Sequence, residues 1–393
     1  MIRQYKLKDY NFRLVLWVIT LSILGVLLVG SADASLRNRQ LMGVLLGIFL
    51  MLVISLMDYS WILGFAWTIY FLDIGLLGVT LLVGWATHGA RRWIDLGFTR
   101  FQPVELSKLL LVLFFAAFFL KHENDLSSFR TVIQAVALIG LPLALIVAEP
   151  DLKNTITITI VFCLMYFVAG LSFRVIFSTL AIVAVALIVF LSIVVQPDQK
   201  LIHDYQRERI MAFLYQENDE YSDDNAQQNN SVTAIGSGQL TGKGLNNSSV
   251  SSANKGNFIP EIQNDFIFAV AGEELGFIGS AGIVILLLLI VLECLYMSRR
   301  AKDLAGIVIC SGAASVIAIQ SFINIGVATG MLPNTGTPLP FVSYGLSSLE
   351  SMFMAIGFVL NVGLQNKVRL AQVRRDRRAV RRKQMRSRYV RHE

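Results

Sequence analysis

Ten apolar runs, each near the length of a membrane-spanning helix, set what this chain can fold into. They lie near 12–30, 40–57, 61–86, 104–120, 131–148, 153–169, 173–195, 275–297, 304–328 and 341–365 of the 393 residues. A helix that crosses the hydrocarbon layer needs about 20 mostly apolar residues. Composition agrees: 55% of the residues are hydrophobic and 16% charged, against roughly 25% charged in a soluble domain. So much apolar surface has no single soluble core to enter. In lipid, only helices and closed barrels satisfy their own backbone. The expected fold is therefore an all-α polytopic membrane protein with ten transmembrane helices. The run 61–86 is long and contains Asp73, so it is expected to tilt or split.

Charge sets the expected orientation. Residues 367–393 carry twelve Lys and Arg against two acids, and the rest of the chain is net acidic. The overall charge of +7 is thus a property of the tail, which argues against a nucleic-acid-binding fold. Ten spans place both termini on one side. With the N-terminus inside, inner segments hold 22 of the 34 Lys and Arg, as the positive-inside rule requires. The expectation is N-in and C-in. Residues 1–11 form a cytoplasmic N-terminus, 12–365 the membrane domain, and 366–393 a basic cytoplasmic tail placed to meet anionic membrane lipids. A large extracellular loop, 196–270, then separates helices 7 and 8, its middle rich in Asn, Gln, Asp, Ser and Gly. Outer loops 87–103 and 329–344 are the next most notable. Polar material gathers outside, so aqueous chemistry is expected there. Cys163, Cys294 and Cys310 each sit in an apolar run and suggest neither a disulfide framework nor a zinc site.

The candidate site consists of the polar residues near that outer face. Glu105 and Lys108 are three apart, so they share a helix face and can pair. Lys108 reads either as half of a structural ion pair or as the holder of an anionic group. Asp151 follows Pro150 and reads either as a helix cap or as a cavity-facing acid. Arg91 and Arg92 lie outside, against the charge bias, beside Trp93. Guanidinium forks suit phosphate, and a lipid-linked pyrophosphate is a natural partner; Trp93 alone reads as an interfacial belt residue. The stretch 234–245 has four glycines in nine positions but lacks P-loop spacing, since Gly244 follows Lys243. ATP is therefore not implied. Asp265 ends the polar loop and is followed by Phe-Ile-Phe-Ala-Val. It reads either as the N-cap of a helix over 266–274 or as a general base acting on a hydroxyl. Glu273 and Glu274 follow, able to cap, pair or bind a cation. Three prolines in eight positions keep 333–348 from regular helix. Such backbone is tolerated near membrane depth where it is buried in protein or lines a wet cavity.

Six of these blocks, in order, resemble the SEDS family (shape, elongation, division and sporulation) of the RodA/FtsW/SpoVE type. They are GARRWIDLG at 89–97, FQPVELSK at 101–108, EPDL at 149–152, AIGSGQLTGKG at 234–244, FIPEIQNDFIFAVAGEELGFIG at 258–279 and LPNTGTPLPFVSYG at 332–345. The resemblance implies a peptidoglycan glycosyltransferase of the bacterial cytoplasmic membrane. Such an enzyme polymerises lipid II into glycan strands at the outer face and releases undecaprenyl pyrophosphate. It serves elongation, division or sporulation beside a class B penicillin-binding protein transpeptidase. The resemblance assigns Asp265 the activation of the acceptor 4-hydroxyl, directly or with a divalent cation (Mg or Mn), and implies no other cofactor. It places Trp93, Gln102, Glu105, Lys108 and Asp151 in or behind a central outward cavity. Arg91, Arg92, Lys243 and Ser343 stand in matched blocks and join them as substrate-binding residues. The chain departs from the family pattern at Lys153-Asn154, Asn264 and Leu346. A flippase or transporter of a lipid-linked precursor predicts charges through the bilayer midplane. A non-catalytic scaffold predicts that Asp265 is dispensable. The charges cluster near the outer boundary, Asp73 excepted, which favours the enzyme.

Overall fold

The computed structural model describes residues 10–87, 90–95, 97, 100–172, 211, 222–246 and 259–365. Among these, nine helices are long and apolar enough to cross a membrane. They are α1 (Phe12–Ala32), α2 (Arg37–Leu56), α4 (Ala66–Val83), α5 (Pro103–Lys121), α6 (Phe129–Ala148), α7 (Leu152–Ala169), α9 (Ile267–Ser298), α10 (Leu304–Ala328) and α11 (Leu346–Gln365). Two shorter helices, α3 (Tyr59–Leu63) and α8 (Ser222–Ser237), complete the set. The span expected at 173–195 and the basic tail lie outside the described residues, as does most of the loop before residue 222. The expected run 61–86 is split, with α3 and α4 separated at Gly64 and Phe65. The segment 85–101 adds a small antiparallel sheet, β1 (Trp85–Thr87), β2 (Ala90–Asp95) and β3 (Arg100–Phe101), in that order.

Local chemistry explains where the helices begin and end. α5 starts with Pro103 and has Glu105 in its first turn and Lys121 in its last. Proline costs nothing at a first helical position, and the two charges oppose the ends of the helix dipole. Asp151 caps α7 by accepting from Asn154 N, and α7 ends at Gly170 in the left-handed region. Asp303 caps α10 by accepting from Gly306 N at 2.9 Å.

Helices α5, α10 and α11 form the centre, their apolar windows 78%, 67% and 78% buried. α10 packs on α5, α7 and α9, and α1 packs on α9. Toward the start of α10 the bundle is closed by polar groups. Tyr59 Oη donates to Asp303 Oδ1 at 2.8 Å, and Asn361 Nδ2 donates to Ser55 O at 2.8 Å. At the far end of α10, α8 covers the bundle: Ser231 Oγ donates to Ala328 O at 2.7 Å, and Gln228 Nε2 to Val327 O at 2.8 Å.

The break in α9 explains the glycine-rich block. Helix α9 departs from helical geometry at Gly276 (φ 66, ψ −164). Residues 238–244 fill that break as a backbone strap. Phe277 N donates to Gln239 O at 2.8 Å, Lys243 N to Glu273 O at 3.0 Å, and Gly244 N to Glu274 O at 3.0 Å. The approach is too close for side chains, since a Cβ on Gly238 would stand 1.9 Å from Gly272 O. Gly238→Ala is therefore expected to lower stability by roughly 1–3 kcal/mol, the usual range for overpacking. Gly282→Ala, with nothing within 4 Å of the new atom, is expected not to destabilise. Thermal unfolding in detergent checks both, and equal effects would refute the strap.

Candidate active site

Asp265 does not stand at the capping position of α9. That position is Phe266, one residue on, so the acid belongs to the non-helical segment before the helix. Its backbone is held by α10: Asn324 Nδ2 donates to Asp265 O at 2.8 Å and to Thr337 O at 2.7 Å. One amide thus joins the end of the polar loop to the proline-rich segment. Tyr344 N donates to Gln263 O at 2.9 Å and adds a second tie between the same segments. The Asp265 side chain lies against Gly336, where a Cβ would be 2.8 Å from its Oδ2. Lys153, in the first turn of α7, reaches the same glycine and donates from Nζ to Gly336 O.

Arg92 binds the turn between α6 and α7. Its Nε lies 4.0 Å from Asp151 Oδ2 and donates to Glu149 O at 3.4 Å, and its Nη2 donates to Pro150 O. Asp151 is fully buried and accepts from Asn154 Nδ2 at 2.8 Å. Both candidate residues therefore organise one turn. Glu149, between the two helices, is buried. Its carboxyl is pushed up from 4.5 to about 8, first by burial and then by the negative charge of Asp151, with Arg92 opposing and Asp73 adding a smaller rise.

Glu105 and Lys108 form a buried pair, with Lys108 Nζ 2.8 Å from Glu105 Oε1 and both side chains 2% exposed. They line a narrow, mainly apolar cleft with Val112, Ile309, Val316 and Met352. Lys108 also borders a second cleft with Ile158 and Phe162 of α7. The other candidates are placed more locally. Gln102 precedes α5, and its N–H donates to Ser347 Oγ at 3.0 Å. Lys243 Nζ donates to Glu273 Oε1 at 2.8 Å, so it braces the strap. Ser343 Oγ accepts from Leu339 N at 2.7 Å, and its carbonyl accepts from Gln40 Nε2 at 3.2 Å. Trp93 pairs with Trp85 across the small sheet, and Arg91 with Ala86. The candidates thus fall into several local groups. Sequence reading missed Asn324, Gly336 and the placement of Lys153.

The profile of the FtsW/RodA/SpoVE family, described as cell cycle protein, matches residues 10–368. The chain belongs to that family. Over 358 residues it is 33% identical to the peptidoglycan glycosyltransferase MrdB of Escherichia coli K12, covering 90% of this chain and 94% of that one. It is 32% identical to a probable peptidoglycan glycosyltransferase FtsW of Geobacter sulfurreducens, covering 92% of this chain and 97% of the relative. Among solved structures, a chain of a peptidoglycan synthase complex that coordinates polymerization and crosslinking matches with a TM-score of 0.75. The two are 27% identical, and the match covers 91% of this chain and 98% of that one. The rod shape determining protein RodA of Thermus thermophilus matches with a TM-score of 0.65 at 27% identity, covering 90% of this chain and 96% of that one.

The divalent cation that the resemblance allows at Asp265 lacks a cluster of acidic, His or Cys donors among the described residues, where no three such side chains converge on a metal-sized site. The second charged group at Gly336 is an ammonium.

Two measurements test this geometry. Because the folded-state value of Glu149 is raised, its contribution to stability is fully present below pH 4.5 and is lost as pH rises through about 8. Unfolding temperatures across that window are expected to fall for the wild type and to flatten for Glu149→Gln. The pair in α5 gives the second test. Removing one partner of a buried ion pair leaves an uncompensated charge, a loss of about 3–5 kcal/mol. Lys108→Met is therefore expected to destabilise more than Lys108→Met combined with Glu105→Gln, and the reverse order would show that the two groups do not interact.

Proposed function

We propose that the chain is a peptidoglycan glycosyltransferase that polymerises lipid II at the outer face of the bacterial cytoplasmic membrane, with Asp265 as the base. The supporting observation is the family match over residues 10–368, within which Asp265 is set outside a helix, against Gly336. The reading assigns 12–365 to the membrane domain with ten spans, and 1–11 and 366–393 to the cytoplasm. It places a class B penicillin-binding protein beside the chain as the transpeptidase that cross-links its product.

In the reaction, Asp265 accepts the proton of the acceptor sugar 4-hydroxyl. The freed oxygen pair attacks the anomeric carbon of the donor and forms the glycosidic bond. The bond from that carbon to phosphate breaks, and its electron pair leaves with undecaprenyl pyrophosphate. The donor is already activated, so no nucleotide is consumed. Charge developing on the departing diphosphate needs cationic donors. Arg91 and Lys108 are assigned to that task, while Arg92, Gln102, Asp151, Lys243 and Ser343 keep the surrounding segments in place and Trp93 borders the entry.

Purified protein in lipid nanodiscs, given labelled lipid II with and without the transpeptidase, is expected to yield glycan polymer. General-base loss commonly costs 10²–10⁴-fold, and Asp265→Ala is expected to lose polymer to about that extent. Gly336→Ala forces a side chain into a backbone with φ +67 and toward the Asp265 carboxylate, so it is expected to reduce the rate as well. Polymer that persists in Asp265→Ala refutes the assigned base. Lipid II translocation without polymer favours the transporter.

A further inference from the structure

We infer that Lys153 is a positioning residue for the Asp265 carboxylate, an inference that rests on the reading of Asp265 as the base. A lysine in the first turn of α7 is not explained by helix stability. The N-terminal end of a helix dipole is positive, and cations there are disfavoured. Asp151 already caps this helix. The Lys153 side chain leaves α7 and donates to Gly336 O, 183 residues away. Around that glycine the geometry is narrow. The position a Cβ would take is 2.8 Å from Asp265 Oδ2 and 3.6 Å from Lys153 Nζ. The ammonium and the carboxylate are therefore no further apart than those two lengths combined. Both side chains are half-buried, so their interaction is screened less than that of an exposed pair. An ammonium has three donors, and the Gly336 carbonyl uses one.

The division of labour follows. Asn324 fixes the Asp265 main chain through its carbonyl. Lys153 fixes the Gly336 turn and holds the carboxylate beside it, turned one way. A base constrained at both its backbone and its charged end meets the acceptor hydroxyl in one geometry. Lys153 itself exchanges no proton in this role.

The test is steady-state polymerisation of fluorescent lipid II by the full chain in nanodiscs, comparing wild type, Lys153→Ala, Lys153→Met, Lys153→Arg and Asp265→Ala. A small misplacement of a reacting group can cost about 10²-fold, and kcat of Lys153→Ala and Lys153→Met is expected to fall by that order. KM is expected to stay within about threefold, since substrate binding is not what is lost. Lys153→Arg keeps the charge and is expected to recover most of kcat. Unfolding temperatures of the variants separate the effect from misfolding, and if the alanine variant does not fold, the arginine–methionine comparison carries the test. Near-wild-type kcat in both Lys153→Ala and Lys153→Met overturns the positioning role while leaving the base in place, provided Asp265→Ala is inactive. A folded Lys153→Arg as slow as Lys153→Met overturns it too. Full activity in Asp265→Ala removes the base, and the role of Lys153 with it.

Discussion

The side-chain amide of Asn324 holds together the two segments that no helix can hold. Residues 259–266 and 329–345 interrupt the helices around α9, α10 and α11, and their peptide groups lack intrahelical partners. Irregular backbone near a bilayer survives only where protein supplies the missing hydrogen bonds. Asn324 spends both hydrogens of one amide on carbonyls from the two segments, Asp265 O and Thr337 O. Ser343 takes the N–H of Leu339, and Gln40 reaches the carbonyl of Ser343 from α2. Several buried polar side chains among the described residues therefore serve peptide groups. The pattern recurs at the start of α10, where Asn361 donates to Ser55 O and accepts from Tyr59 N.

Charges are placed by the same logic but with a different consequence. A buried ion pair gains little over apolar packing, yet breaking it is costly. Such pairs act less as a source of stability than as a lock on arrangement. Lys243 and Glu273 fasten the glycine strap to α9. Arg92 fastens the small sheet to the α6–α7 turn through Asp151 and two carbonyls. Glu105 and Lys108 differ, because both lie on α5 and face a cleft. That pair joins no separate segments.

Hydropathy made the described membrane helices legible, although α9 begins at Ile267, before the expected 275, and α11 at Leu346, after the expected 341. The run 61–86, expected to tilt or split, is split at Gly64 and Phe65, after a short helix that Asp58 caps. The prolines of 333–348 announced irregular backbone, which ends at Gly345, since 346–348 already belong to α11. What escaped was partnership at long range. Nothing in the neighbourhood of Asn324 distinguishes it from other polar residues in an apolar helix. Its partners are 59 and 13 residues away. Lys153 read only as a departure from a family pattern, although the chain folds it onto Gly336. The glycine block at 236–244 suggested a loop, and only the break at Gly276 showed which backbone it had to fit. Asp151 left two readings open, and the structure fills both oxygens' surroundings with a cap and a guanidinium.

Asp265 stands one residue before the capping position of α9, and that bears on what it can do. A carboxylate at the capping position would be tied to free N–H groups of the first turn, which hold it ionised and lower its appetite for a proton. Set one residue earlier, the carboxylate lies against another segment of the chain. There it meets Gly336, a residue with φ +67 and no side chain. Any other residue there would adopt that backbone at a cost and would put an atom into the space the carboxylate occupies. The missing Cβ is thus what lets an acid from one segment and a lysine from another approach the same peptide. The site depends on a side chain that is absent as much as on those that are present.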